Sequence, residues 1–278
     1  MRMADTVGII AGGGQFPILV ARGVRSSGGR VVAVGFPRNT NPGVAAEVDA
    51  FCELKLGQLG KLIDFFRTQG VSRVVMAGTI NKARALDIRP DWRAAKVLVR
   101  LVGKGDDALL RAVASELESE GFPVVGPHEV APELLTPAGV LTRRAPSDEQ
   151  WADIRYGWPL AKRIGELDIG QTIVVKKQVV AAVEALEGTD EAVARGLSLA
   201  GPGAVVVKIF KPGQEERVDM PSVGLRTIEL MARHGAGCLA VEAGRSLFFD
   251  REGALALADR EGVAVVGVDC SVLDAGLG

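Results

Sequence analysis

The sequence predicts an α/β protein, with a parallel sheet in its first half and a mixed sheet in its second. Three observations support this. Apolar runs rich in valine and isoleucine alternate with amphipathic stretches from Val7 to Gly126, the strand–helix rhythm of a parallel sheet covered by helices. In the second half, strand runs such as Ile173–Lys176 and Val179–Val183 are adjacent along the chain, which suggests a mixed sheet. Glycine or proline punctuates many of the junctions.

In order, Val7–Ala11 reads as a strand, Ala11-Gly12-Gly13-Gly14 as a loop, and Pro17–Arg25 as a helix. Pro17 suits a first helical turn, where its missing N–H costs nothing. Val31–Phe36 is the second strand. Leu59–Thr68 is a helix with Leu62, Ile63 and Phe66 on one face, and Val71–Ala77 is a third strand. Helical segments follow around Trp92–Val102 and over Asp107–Glu120, then a short strand at Val124–Gly126. Pro132–Pro146 reads as a linker or crossover. Ser147 and Gln150 form a capping box that opens a helix carrying Trp151, Ile154 and Trp158. That stripe suits a core or a domain interface, with lipid contact as the second possibility. Beyond the strands at 173–176 and 179–183, Val205–Phe210, Leu239–Val241, Leu247–Phe249 and Val263–Val268 read as strands, with a helix over Glu252–Asp259.

The 278 residues suffice for two domains, and 47% apolar content provides a core. A formal charge of −1 argues against a nucleic-acid binder relying on a broad basic surface. The three cysteines, Cys52, Cys238 and Cys270, show neither a disulfide framework nor metal spacing, which fits a reducing cytoplasm. Val7–Ile10 is too short for a signal peptide, and no stretch reaches the roughly 20 apolar residues a membrane span needs.

Several segments bear chemistry. The glycine loop sits between a strand and a helix, where backbone N–H groups and the helix dipole favour an anion; its other role is a tight turn. It is not a dinucleotide fingerprint, because Pro17 stands where the third glycine belongs and no acid ends the second strand. Thr79, at a strand end, suits either a ligand contact or a helix cap. Asp106 and Asp107 suit a helix cap, with one as a possible cation ligand. Glu184 lies in an apolar strand; it either pairs with Lys208 or joins Glu187 and Asp190 as hard oxygen ligands for Mg2+. Lys208, Lys211 and Arg217 can neutralise phosphate oxygens, and Asp219 can hold metal or orient water. The alternative is a solvated charged loop, and capping of the following helix by Thr189 or Asp190. His128 and His234 are isolated and make no metal cluster.

These blocks, taken in order, resemble the LpxI family of UDP-2,3-diacylglucosamine pyrophosphatases. The resemblance rests on Gly8-Ile9-Ile10-Ala11-Gly12-Gly13-Gly14-Gln15-Phe16-Pro17, Ala77-Gly78-Thr79, Gly105-Asp106-Asp107 with Leu109-Leu110-Arg111, Val180 to Glu191, Lys208, Lys211-Pro212, Gln214 with Arg217 to Gly224, and Val241-Glu242-Ala243-Gly244. It implies a lipid A biosynthesis enzyme of Gram-negative bacteria that splits UDP-2,3-diacylglucosamine into UMP and 2,3-diacylglucosamine 1-phosphate, with Mg2+. It also implies two α/β domains, the first Rossmann-like, with the ligand between them. The domains are expected over residues 1–132 and 147–278, joined by a linker over 133–146.

On that basis Gly12, Gly13, Gly14, Gln15 and Thr79 are expected to hold part of the head group, with Thr189 and Gln214 as further substrate contacts. Asp190, Asp219 and Glu187 are the expected Mg2+ ligands. Lys208, Lys211 and Arg217 are expected to offset charge as the phosphorus–oxygen bond breaks, with water as nucleophile. A glycolipid substrate implies peripheral contact with the cytoplasmic face of the inner membrane, for which the Trp151 helix is one candidate. A non-catalytic nucleotide-sugar binding protein is the competing expectation.

Overall fold

The computed structural model describes residues 5–80, 90–99 and 106–275. They fall into two compact units. The first is Met1–Glu133 with Glu216–Asp219, and the second is Leu134–Glu215 with Met220–Gly278.

In the first unit, β1 (Thr6–Ala11), β2 (Arg30–Gly35), β3 (Ala50–Glu53) and β4 (Arg73–Ala77) form a four-stranded sheet in the order β3-β2-β1-β4. All pairings are parallel, with Ile9 opposite Ala33 on one side and Val75 on the other. Helix α1 (Phe16–Ser26) links β1 to β2, and α2 (Leu59–Thr68) links β3 to β4. Helices α3 (Trp92–Val99), α4 (Asp106–Ser119) and α5 (Pro127–Val130) follow. One core joins Val32, Val34 and Val74 to Ile63 and Phe66 of α2 and Leu117 of α4. The Phe66 and Phe122 rings meet edge-on at 6.3 Å. Strand β3 escaped the sequence reading because its four residues, three half-buried and Glu53 exposed, sit at the sheet edge. The apolar run at Val124 is reduced to a single parallel bridge with Val74.

The second unit has a six-stranded mixed sheet ordered β5-β12-β10-β8-β6-β7. Its strands are β5 (Gly139–Val140), β6 (Thr172–Lys176), β7 (Val179–Val183), β8 (Val205–Lys208), β10 (Cys238–Glu242) and β12 (Ala264–Val268). β8, β10 and β12 run parallel, whereas β6 is antiparallel to both β7 and β8. Strands β9 (Ser222–Val223) and β11 (Leu247–Phe248) make a separate parallel pair. Val174, Val206 and Leu239 pack on α7 (Thr189–Ala200), α8 (Leu225–Arg233) and α9 (Arg251–Glu261). The opposite face packs on α6 (Asp148–Glu166) and α10 (Cys270–Ala275). β5 pairs with β12 inside the stretch the sequence reads as a linker.

The capping box forms at α6: Ser147 Oγ accepts from Gln150 N at 3.3 Å, and Gln150 Oε1 accepts from Ser147 N at 2.9 Å. The β6–β7 turn has no Asn-Gly signal, yet Lys177 and Gln178 both take positive φ. Buried Asp153 enforces this turn by accepting from both N–H groups, at 3.1 and 2.6 Å. The Trp151–Ile154–Trp158 stripe packs on the sheet, with Trp151 partly buried against the core. Ile154 is fully buried and Trp158 9% exposed, because the stripe faces β6, β8 and β10.

The cysteines differ sharply in environment. Burial holds the Cys238 thiol far above its ordinary range, whereas Cys270 is exposed. A thiol reagent is therefore expected to label Cys270 rapidly and to reach Cys238 only on unfolding. Labelling followed by peptide mass analysis checks this, and fast native labelling of Cys238 would contradict it.

Candidate active site

In the first unit the strand order reverses between β1 and β4, the switch point where open parallel sheets bind ligands. The glycine loop leaves β1 there and lies directly on the end of β4. Gly12 N donates to Ala77 O and Gly13 N to Thr79 O, both at 2.7 Å. A Cβ on Gly12 would come within 2.6 Å of the Gly78 carbonyl carbon, and Gly78 itself takes φ +90. The expectation that these two N–H groups face an anion is therefore corrected: they hold the strands together. The open part of the loop is Gly14, where an added Cβ would meet nothing within 4 Å. Gln15 stands just ahead of α1. Thr79 is exposed, and its carbonyl also accepts from Asn39 Nδ2 at 3.0 Å. Asn39 was missed by the sequence reading; its only signal was the turn-forming run Asn39-Thr40-Asn41-Pro42 after β2.

In the second unit the polar residues gather where β8 ends, β6 begins and α7 opens. Lys208 is buried, and its Nζ donates to Ser222 O at 2.9 Å. Glu184 is buried as well, and its Oε1 accepts from the Thr189 hydroxyl at 2.7 Å. Gly188 is the N-cap of α7 and no side chain caps that helix, so neither Thr189 nor Asp190 has the capping role. Asp190 lies in the first turn, exposed, with Arg226 at 3.9 Å. Glu187 is engaged on both oxygens, one by Arg195 and the other by Ala185 N at 3.1 Å. The Arg195 hydrogen bond, with further help from backbone donors, holds its carboxyl below the usual range.

The loop after β8 supplies the remaining residues. Lys211 and Gln214 close a turn, with Gln214 N donating to Lys211 O at 3.1 Å, and Lys211 Nζ pairs with Asp168 at 2.8 Å. Glu216–Asp219 then belongs to the first unit. Arg217 binds Glu118 of α4 and reaches the Val124 carbonyl at 3.4 Å, while Val218 packs on the core around Phe66. Asp219 follows directly. Among the described residues no three His, Cys, Asp or Glu side chains stand together as a metal site. The side chains of Asp106 and Asp107 lie outside the described residues.

Comparison with known proteins decides the family. The LpxI N-terminal domain model matches residues 6–134 and the LpxI C-terminal domain model matches residues 137–266. A protein of Caulobacter vibrioides named UDP-2,3-diacylglucosamine pyrophosphatase LpxI is 39% identical over 276 residues, covering 95% of this chain and 97% of its own length. The chain belongs to the LpxI family.

The glycine loop and Thr79 fall in the LpxI N-terminal domain, and Lys208, Thr189 and Asp190 in the C-terminal one. The segment Glu216–Asp219 is matched with the LpxI C-terminal domain yet packs in the first compact unit. Two solved structures of other enzymes are far less similar. An N5-carboxyaminoimidazole ribonucleotide synthetase bound to ADP is 15% identical, over 70% of this chain and 45% of its own, with a TM-score of 0.29. A pyruvate carboxylase from Rhizobium etli is 12% identical, over 45% of this chain and 10% of its own, with a TM-score of 0.28. Likeness at that level says nothing about a ligand.

Proposed function

We propose that this protein is a UDP-2,3-diacylglucosamine pyrophosphatase of lipid A biosynthesis. The observation that carries the reading is the 39% identity, end to end, to the Caulobacter vibrioides protein of that name. Water attacks one phosphorus, the P–O–P bond breaks, and UMP and 2,3-diacylglucosamine 1-phosphate leave.

Phosphoryl transfer depends mainly on positioning and charge stabilisation. Gly14, Gln15 and Thr79 position the head group at the β1–β4 switch point, with Gly12 and Gly13 fixing the loop. Thr189 and Gln214 are further substrate contacts. Lys208, Lys211 and Arg217 offset the charge that grows on the oxygens. The three lysine and arginine groups are already directed by acceptors, namely Ser222 O, Asp168 and Glu118, which limits the reorganisation needed during the reaction.

Mg2+ is the proposed cofactor. Asp190 and Asp219 would supply oxygen ligands of the kind a hard cation requires, whereas Glu187 is taken up by Arg195 and would stand as a support. When bound, the ion neutralises diphosphate charge and polarises the bond that breaks. Because the substrate bears acyl chains, the protein works at the cytoplasmic face of the inner membrane. No helix among the described residues is long and apolar enough to cross it.

The test presents UDP-2,3-diacylglucosamine in vesicles with Mg2+. UMP release is expected, as is sedimentation of the protein with those vesicles; excess EDTA is expected to stop release. Binding without UMP would favour a nucleotide-sugar binding protein instead.

A further inference from the structure

The β6–β7 edge of the second unit holds two buried oxygens, Glu184 Oε2 and Thr172 Oγ1, that none of the roles above explains. Thr172 opens β6 and is paired in register with Lys208 of β8. Glu184 N donates to Thr172 O at 2.9 Å, which extends the β6–β7 pairing by one residue. Register partners project from the same face of a sheet. Glu184, Thr172 and Lys208 therefore stand in a row across three strands, about 4.8 Å apart per strand.

All three are buried, at 8%, 1% and 7% exposure respectively. Glu184 Oε1 accepts from the Thr189 hydroxyl. Glu184 Oε2 and Thr172 Oγ1 are buried with no hydrogen-bond partner, as is Oε1 of the neighbouring Gln171. Among the described residues, three of the five atoms in this condition lie at this one edge. Buried oxygens are seldom left unpaired, so the edge lacks a donor.

The charges select its chemistry. An anion would be repelled by Glu184, and a bare cation would meet the ammonium of Lys208. A neutral hydroxyl suits both, because it donates to a carboxylate and accepts from a donor. The row also lies at the carboxyl end of β8, the side of an open sheet where ligands gather. We propose that Glu184 and Thr172 form a sugar-hydroxyl subsite, with Glu184 Oε2 accepting from a hydroxyl that also bonds Thr172 Oγ1. The proposal rests on the functional reading above, whose substrate carries two sugars, ribose and glucosamine.

The experiment is calorimetric titration of wild type, Glu184→Gln and Thr172→Val with each product, UMP and 2,3-diacylglucosamine 1-phosphate. Thr172→Val keeps the side-chain shape and breaks no bond the protein makes to itself, so it is expected to fold and melt as wild type. One product is expected to bind about tenfold or more weakly to both variants while the other binds normally, because a lost hydrogen bond to a charged group is worth about one to two decades. The weakened product identifies the sugar. Unchanged binding of both products to folded Thr172→Val overturns the subsite and leaves a buried water as the missing donor. So does failure of wild type to bind either product. UMP release by wild type is measured in parallel. Release with unchanged variant binding sinks the subsite alone, and no release with Glu184-dependent binding sinks the enzymatic reading alone.

Discussion

Replacing Asp219 with alanine is expected to lower turnover of UDP-2,3-diacylglucosamine by about 10²- to 10⁴-fold while leaving substrate binding largely intact, the scale seen when a single acid–base or electrostatic group is removed from a transition state. The backbone around Asp219 is fixed on both sides. Arg217 is tied to Glu118 and to the Val124 carbonyl, and Val218 is packed on the first unit's core. On the other side, Pro221 O accepts from Leu247 N at 2.9 Å. Loss of the carboxylate should therefore leave the local chain in place and change chemistry alone. Steady-state UMP release, with binding measured separately, checks this. A variant that turns over near the wild-type rate with Mg2+ would remove Asp219 from the mechanism.

The largest effect on stability is expected at Glu242. It ends β10 at 8% exposure, and its Oε2 accepts from Lys162 Nζ at 2.5 Å and from Phe210 N at 2.7 Å. Lys162 also donates to Phe210 O at 3.2 Å and lies over the Trp158 ring at 5.8 Å. Glu242→Ala would strand an ammonium and a buried N–H together. Breaking a buried pair from one side costs about 3–5 kcal/mol. The 25% exposure of the Lys162 side chain favours the lower half of that range, a fall in Tm of roughly 10 °C. Removing both charges, as in Lys162→Met with Glu242→Gln, should recover most of the loss, since Gln still offers Phe210 N an acceptor. Thermal melts of wild type and the two variants decide it; a Glu242→Ala melt within about 2 °C of wild type would show that water replaces the carboxylate.

Much of this architecture was legible in the residues. β7 and α2 carry the bounds their apolar patterns predict, and the parallel rhythm of the first half is the observed sheet. Of the shortest strands, β11 was legible, but β3, β5 and β9 were not. β3 and β5 are held by neighbours rather than by their own pattern: Gly139 and Val140 pair with Gly267 and Val266, more than a hundred positions away. The predicted strand over Val205–Phe210 ends at Lys208, because Phe210 N turns to the Glu242 carboxylate.

The candidate site divides in the same way. Glu184, Glu187, Asp190 and the cations after β8 were conspicuous as charges in apolar or loop sequence. Their partners were not, because Glu118 and Arg217, or Asp168 and Lys211, lie far apart along the chain. Thr172 gave no signal at all, since a threonine opening a strand is ordinary; its importance comes from an unpaired hydroxyl beside an unpaired carboxylate oxygen.

The sequence alone determined the α/β class, the order of most elements and the family resemblance, because hydrophobic periodicity and contiguous motifs are local properties of a chain. Tertiary structure alone decided that Gly12 and Gly13 bind strand to strand, that Glu187 answers to Arg195, and that Glu216–Asp219 packs with the first unit. The reason is that a donor's partner and a charge's burial depend on what the fold brings alongside, which residue spacing does not encode.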